Sequence, residues 1–335
     1  MRNTLALGDW PLLRGGTLKD ASLAYTTHGT LNADGSNAIL IPTYYTGIDS
    51  DNAAWFGPAR ALDTDRYFIV VPNLFGNGIS TSPSNAEASQ RGHHFPSVHV
   101  LDNVRAQYQL LTETLGVQRL RLATGWSMGA LQVYQMAASY PDFVENLLPF
   151  GGAARCSIHN HVFLDGVKAA LCTDPSLTLP VASPPPTRAT ALKAFGRVYC
   201  GWAYSQTFFR EHAYRELGFN SADALMQDWE ADHLRWDAHD LLAMLETWQR
   251  ADIAADPQFA ADFPAALSAI TARALIMPCN TDLYFPVADS KIEVAGLANG
   301  ELREIDSSWG HCAASPGRNP SVMAQLEAAF TDILQ

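Results

Sequence analysis

Cysteine is sparse and badly placed for any framework. The five residues Cys156, Cys172, Cys200, Cys279 and Cys312 are odd in number, scattered and without a C-x-x-C pair. That argues against a disulfide scaffold or a zinc knuckle and for a reducing compartment. No uncharged apolar run approaches the ~18 residues of a membrane-spanning helix. The opening MRNTLALGDWPLLRGG lacks a basic region followed by a long apolar stretch, so no signal peptide is expected. A cytoplasmic protein that does not enter a membrane is the expectation. Basic charge is also short, with 22 Lys and Arg against 34 Asp and Glu and a net charge of −12. Phosphate backbones select basic surfaces, so nucleic acid is excluded as a partner. The paired histidines of RGHHF and HNH have no accompanying carboxylate or thiol spacing, and no metal site is expected.

What remains is ample for a large core: 335 residues, 47% hydrophobic and 17% charged. Short apolar runs recur at 38–42 (AILIP), 67–72 (YFIVVP), 119–124 (RLRLAT) and 272–278 (ARALIMP), each closed by a proline or a polar turn. Between the second and third, Val100, Val104, Tyr108, Leu111 and Leu115 recur at helical spacing, with Gly116 as the stop. Strands alternating with helices predict an α/β fold with a mostly parallel, doubly wound sheet. The rhythm breaks after Gly152. From Arg155 to Ile270 the chain reads as helices rich in Trp, His and Ala, with a proline-rich loop at 177–190. Residues 1–154 and 271–335 are therefore expected to form the core, and 155–270 an inserted helical lid.

One stretch carries chemistry. Gly125-Trp126-Ser127-Met128-Gly129 follows an apolar run and precedes a helix-forming one, ALQVYQMAASY. A strand, G-x-S-x-G and a helix make a nucleophile elbow, in which a tight turn projects the serine hydroxyl from the carboxyl edge of the sheet. The helix start offers its dipole and free N–H groups to a developing oxyanion, the Met128 N–H first. A glycine turn can hold this pattern by chance; the flanking strand and helix argue for a nucleophile.

A serine hydroxyl needs a base, and the base an orienting acid. In this fold the acid follows a late strand and the histidine lies near the C-terminus. NTDLYFP places Asp282 past a strand end, and WGHCAASPG places His311 in a later loop. Asp289 and Asp306 are rivals that follow no strand end as cleanly. After His239, His311 is the one histidine left in the chain. The second oxyanion donor is expected in the loop after AILIP, at the Tyr45 N–H, with Tyr44 lining the pocket.

Taken together, these segments resemble the homoserine O-acetyltransferase family of α/β-hydrolases. The resemblance runs through GPARALDTDRYFIVVPNLFGNGISTSPS, the elbow, NTDLYFP and WGHCAASPG. It implies Ser127, Asp282 and His311 as a catalytic triad, a helical lid and a homodimer. It further places Arg197 and Tyr204 of FGRVYCGWAYSQ where the family grips its substrate. Two residues depart from the family: Cys312 stands where the acetyltransferases carry an aspartate for the substrate amine, and Trp126 where they commonly carry glycine. A thiol cannot pair with an ammonium group, and losing such a partner in a buried site costs roughly 3–5 kcal/mol. The departures favour an esterase-like relative that hydrolyses short acyl esters and needs no cofactor. The alternative is an O-acyltransferase taking acetyl-CoA as co-substrate and an alcohol as acceptor. A ligand-binding protein on a hydrolase fold is a third reading, disfavoured because a disused site has no reason to keep all three residues.

Overall fold

In the computed structural model, which describes residues 1–182 and 184–335, the apolar runs lie inside an eight-stranded sheet. The chain opens with a hairpin of β1 (Arg2–Pro11) and β2 (Thr17–His28), followed by β3 (Ala38–Leu40) and β4 (Phe68–Pro72). Helix α1 (Val100–Gln109) leads to β5 (Leu120–Trp126), α2 (Met128–Ser139) and β6 (Asn146–Phe150). The spatial order is β1-β2-β4-β3-β5-β6-β7-β8, where β7 is Arg273–Ile276 and β8 is Gly300–Leu302. β1, β2 and β4 pair antiparallel, while the pairs from β4 through β8 are parallel. The carboxyl ends of β3, β5, β6, β7 and β8 therefore share one edge, where ligands bind in open α/β sheets.

The helix expected from residue 100 to Gly116 starts where the pattern puts it. His99 caps it, its ring accepting from the Leu101 N–H at 3.1 Å while Asp102 accepts from the His99 N–H at 2.8 Å. Its far end differs: residues Leu110–Thr114 widen into a π turn before Gly116 takes a φ of +73°. Helix α2 is buried from Met128 to Ala138, and its two glutamines, Gln132 and Gln135, donate to the Thr43 and Ile253 carbonyls.

Between β6 and β7 no strand occurs among the described residues. The chain runs instead through α3 (Ile158–Leu171), α4 (Pro185–Ala203), α5 (Gln206–Arg210), α6 (Ala222–His233), α7 (Ala238–Gln249) and α8 (Phe263–Ser268). The loop expected at 177–190 is shorter than its prolines suggest, because α4 begins at Pro185. A first-turn proline gives up no helical hydrogen bond, and its fixed φ suits a helix start. Ser183, in the same loop, lies outside the described residues. Past β7, α9 (Val287–Gly296) precedes β8 and α10 (Pro320–Ile333) closes the chain.

These helices are fastened to the core by polar contacts. Ser84 donates to Asp240 from its N–H at 2.9 Å and its hydroxyl at 2.6 Å, and the Tyr45 hydroxyl donates to the Leu241 carbonyl at 3.1 Å. No helix among the described residues is long and apolar enough to cross a membrane.

Candidate active site

Ser127 closes β5 and opens α2 with φ +56° and ψ −123°. An L-residue holds such a backbone at a cost of about 1–3 kcal/mol, so the surroundings must enforce it. Its N–H donates to Phe150 O at 3.2 Å, and its carbonyl accepts the Leu131 N–H at 3.2 Å. Glycines supply the room. A Cβ on Gly125 would lie 2.7 Å from the Gly129 carbonyl carbon, and one on Gly129 would lie 2.8 Å from Pro42 O. Gly152, past the end of β6, is a third: its Cβ would come within 2.3 Å of the Ala130 Cβ.

The two partners arrive from the same edge. Asp282 follows β7, and its Oδ1 accepts the N–H groups of Tyr284 at 2.7 Å and Phe285 at 3.2 Å. Its Oδ2 stands 2.8 Å from His311 Nδ1, and His311 Nε2 stands 2.9 Å from Ser127 Oγ. A carboxylate only accepts, so Nδ1 carries the ring proton and Nε2 accepts from the serine hydroxyl. All three residues are buried. The rivals lie elsewhere: Asp306 accepts from Asn280 at 2.8 Å, and Asp289 sits in the first turn of α9.

The histidine loop is built with equal care. Thr281 Oγ1 donates to Ser307 O at 2.6 Å and accepts the Gly310 N–H at 3.0 Å, which ties the loop to the segment carrying Asp282. Gly310 has a φ of +68°, and its Cβ would meet Ser205 N at 2.7 Å just past α4. The end of α4 therefore touches the residue before His311.

Around the serine, the Met128 N–H heads α2 at the positive end of the helix. Among the described residues neither this N–H nor that of Tyr45 has an acceptor. The loop carrying Tyr45 is fixed by Gln132, whose Nε2 donates to Thr43 O at 2.8 Å. The Tyr45 ring points toward α4 and α7, 5.5 Å from Tyr199 and 5.9 Å from Trp248, so only its backbone is left for a substrate. The Tyr44 ring meets Trp126 edge-on at 4.6 Å.

The structure does not bring Arg197 to the serine. Its guanidinium is on the surface of α4, 43% exposed, paired with Glu230 and 3.6 Å from Asp223. Arg197, expected to grip the substrate, here joins α4 to α6. Tyr204 is buried, its ring stacked on Phe208 at 4.2 Å. Cys312 is buried, and burial pushes its thiol up to about 11, with hydrogen bonds from Ser315 and Tyr204 only partly offsetting it. The thiol is neutral at physiological pH. Among the described residues no group of three His, Cys, Asp or Glu side chains could hold a metal ion.

Sequence reasoning missed the surroundings of His311. Trp126 stacks on the imidazole at 5.1 Å between centroids and 22° between planes, and Tyr284 and Phe285 lie 4.5 and 5.5 Å away. The place of Trp126 directly before Ser127 was the available signal for a ring beside the histidine that meets that serine.

Comparison with known proteins bears on the same arrangement. A model of the alpha/beta hydrolase fold matches residues 39–161. The chain is 36% identical over 333 residues to an ethyl acetate hydrolase of Pseudomonas veronii, covering 98% of this chain and 94% of the relative. It is 31% identical over 340 residues to a homoserine O-acetyltransferase of Symbiobacterium thermophilum, covering 89% and 86%. The crystal structure of the acetyl esterase MekB superposes with a TM-score of 0.95 at 34% identity, covering 100% of this chain and 96% of that one.

Proposed function

This chain belongs to the α/β-hydrolase family, in the esterase-like branch beside the homoserine O-acetyltransferases, and from that premise we propose that it is a serine carboxylesterase for short acyl esters. The observation that carries the reading is the relay Ser127 Oγ to His311 Nε2 to Asp282, at 2.9 and 2.8 Å. In the first half-reaction His311 takes the serine proton as Oγ attacks the ester carbonyl carbon. The N–H groups of Met128 and Tyr45 receive the oxyanion, and Asp282 stabilises the imidazolium. Collapse breaks the bond to the alkoxy oxygen, which leaves as the alcohol with the proton from His311. In the second half-reaction water attacks the acyl-serine, gives its proton to His311, and the acid departs as Ser127 is reprotonated.

Acetate is the acyl group that this reading favours. An ethyl acetate hydrolase and an acetyl esterase are among the relatives, and aromatic rings crowd the serine–histidine pair. The neutral, buried Cys312 argues against homoserine as acceptor, since it gives an ammonium group no countercharge. In this reading residues 155–270 act as a lid, and the protein is a cytoplasmic homodimer. Five cysteines without a disulfide fit a reducing compartment.

The test measures turnover of p-nitrophenyl acetate, and separately of acetyl-CoA with homoserine. Rapid ester hydrolysis independent of coenzyme A is expected. Homoserine acetylation that outruns hydrolysis would overturn the reading, and sedimentation at the monomer mass would remove the dimer.

A further inference from the structure

His311 is caged by rings that belong to the other two members of the relay. Trp126 immediately precedes Ser127, and its indole lies almost parallel to the imidazole at 5.1 Å. Tyr284 and Phe285 follow Asp282, and their backbone N–H groups both bond Asp282 Oδ1. One carboxylate thus holds the Nδ1 side of the base through Oδ2 and anchors two of its aromatic neighbours through Oδ1. Tyr44 braces Trp126 edge-on, and Gly151, whose Cβ would come within 3.0 Å of the indole, leaves it space. In the proposed reaction the caged group becomes a cation in every catalytic cycle. An aromatic face attracts a cation electrostatically, the more so away from water.

Resting on the assignment of Ser127, His311 and Asp282 as the relay, we propose that Trp126 and Tyr284 are positioning residues whose rings hold His311 in register and stabilise its imidazolium. The titratable groups around the ring are Asp282, the Ser127 hydroxyl, the Tyr284 phenol and the Cys312 thiol. Burial raises the last two, keeping both uncharged at neutral pH, so Asp282 and the rings are what the imidazolium meets. Charge stabilisation by a ring differs from mere packing in a way an assay can read. An aliphatic side chain of similar bulk fills the space without the quadrupole.

The experiment compares Trp126→Leu, Trp126→Phe, Tyr284→Leu and Tyr284→Phe in the full chain, with folding checked by thermal unfolding and p-nitrophenyl acetate as substrate. Ser127→Ala, measured first, must abolish turnover; if it does not, the relay assignment fails before the cage is tested. With the relay in place, each Leu variant is expected to lose about tenfold in kcat with KM changed less than twofold. The acid limb of the kcat/KM profile should move to lower pH by about half a unit, because an imidazolium that is less stabilised gives up its proton more readily. Each Phe variant should recover both quantities to within about threefold. Equal losses in the Leu and Phe variants, or an acid limb that stays in place, would overturn the proposal. Should Trp126→Leu fail to fold, the Tyr284 pair decides alone.

Discussion

Gly310→Ala tests whether the chain just past α4 positions His311, the base of the proposed relay. Two costs add at this residue. A φ of +68° is left-handed, which costs an alanine roughly 1–2 kcal/mol over glycine. Its Cβ would also stand 2.7 Å from Ser205 N, a backbone atom that cannot swing aside, and forcing such an overlap costs about 1–3 kcal/mol. Reaching an ordinary contact of 3.4 Å requires a shift of about 0.7 Å, shared between α4 and the His311 loop. The loop cannot give freely, because the Gly310 N–H is held by Thr281 and His311 by Asp282. Lengthening the 2.9 Å contact between Nε2 and Oγ by most of that shift leaves no hydrogen bond, and misplacement of about 1 Å costs on the order of 10²-fold. The expected result is a kcat for p-nitrophenyl acetate reduced ten- to a hundredfold, with fluorophosphonate labelling slowed in parallel. At about 0.7 kcal/mol per kelvin for this length, Tm should fall by about 3–7 °C. Gly201→Ala is the control, since nothing lies within 4 Å of its Cβ in the body of α4. Near-native turnover by Gly310→Ala would refute the coupling of this segment to His311.

Ser127→Gly should unfold at a higher temperature than Ser127→Ala, although both lose activity, because glycine removes the backbone strain that alanine keeps. Strain of ~1–3 kcal/mol less a glycine entropy cost of ~0.5–1 kcal/mol leaves a net gain, and a lower Tm for the glycine variant would show that the backbone is unstrained. Arg197→Ala should leave KM and kcat within about twofold, since its partners are Glu230 and Asp223; a large rise in KM would restore a substrate role. Glu293 is buried, accepting from the Tyr134 hydroxyl at 2.9 Å and the Ala154 N–H at 2.6 Å, and burial pushes its carboxyl up to about 8. Its folded pKa is raised, so its contribution to stability is full below the unfolded value of ~4.3 and is lost as pH rises through about 8. Urea midpoints at pH 5, 7 and 9 should therefore fall less steeply in Glu293→Gln than in the parent, and parallel slopes would refute the assignment.

What was legible in the sequence was local or covalently encoded. The elbow announces itself because the turn at Ser127 demands small neighbours within two residues on either side. The buried parallel strands announce themselves as apolar runs because both faces are covered. The β1–β2 hairpin does not: β1 is mostly exposed and carries no such run, so nothing in its composition separates it from a loop. The start of α4 was hidden by prolines that break helices in the middle and suit them at the first turn. Gly152 was illegible for a different reason, since its close neighbour Ala130 belongs to α2 and only the packed structure brings the two together.

The site residues divide along the same line. Ser127, Asp282 and His311 could be chosen because each occupies a position defined by its own strand end, and the parallel sheet aligns those ends without further information. Arg197 could not be placed in that way. It lies on a helix, where a change of about 100° per residue decides whether a side chain meets substrate or solvent. Which face of α4 turns inward is set by tertiary packing: Phe195 and Tyr199 are buried while Arg197 and Val198 are exposed. A cation at a half-exposed position beside two carboxylates is drawn to them, and Arg197 pairs with Glu230 and Asp223 on α6. The same packing hid the surroundings of His311, because Trp126, Tyr284 and Phe285 acquire their role only when three chain segments meet. Strand ends can be read from sequence, then, whereas helix faces and ring contacts in this protein are decided by the fold.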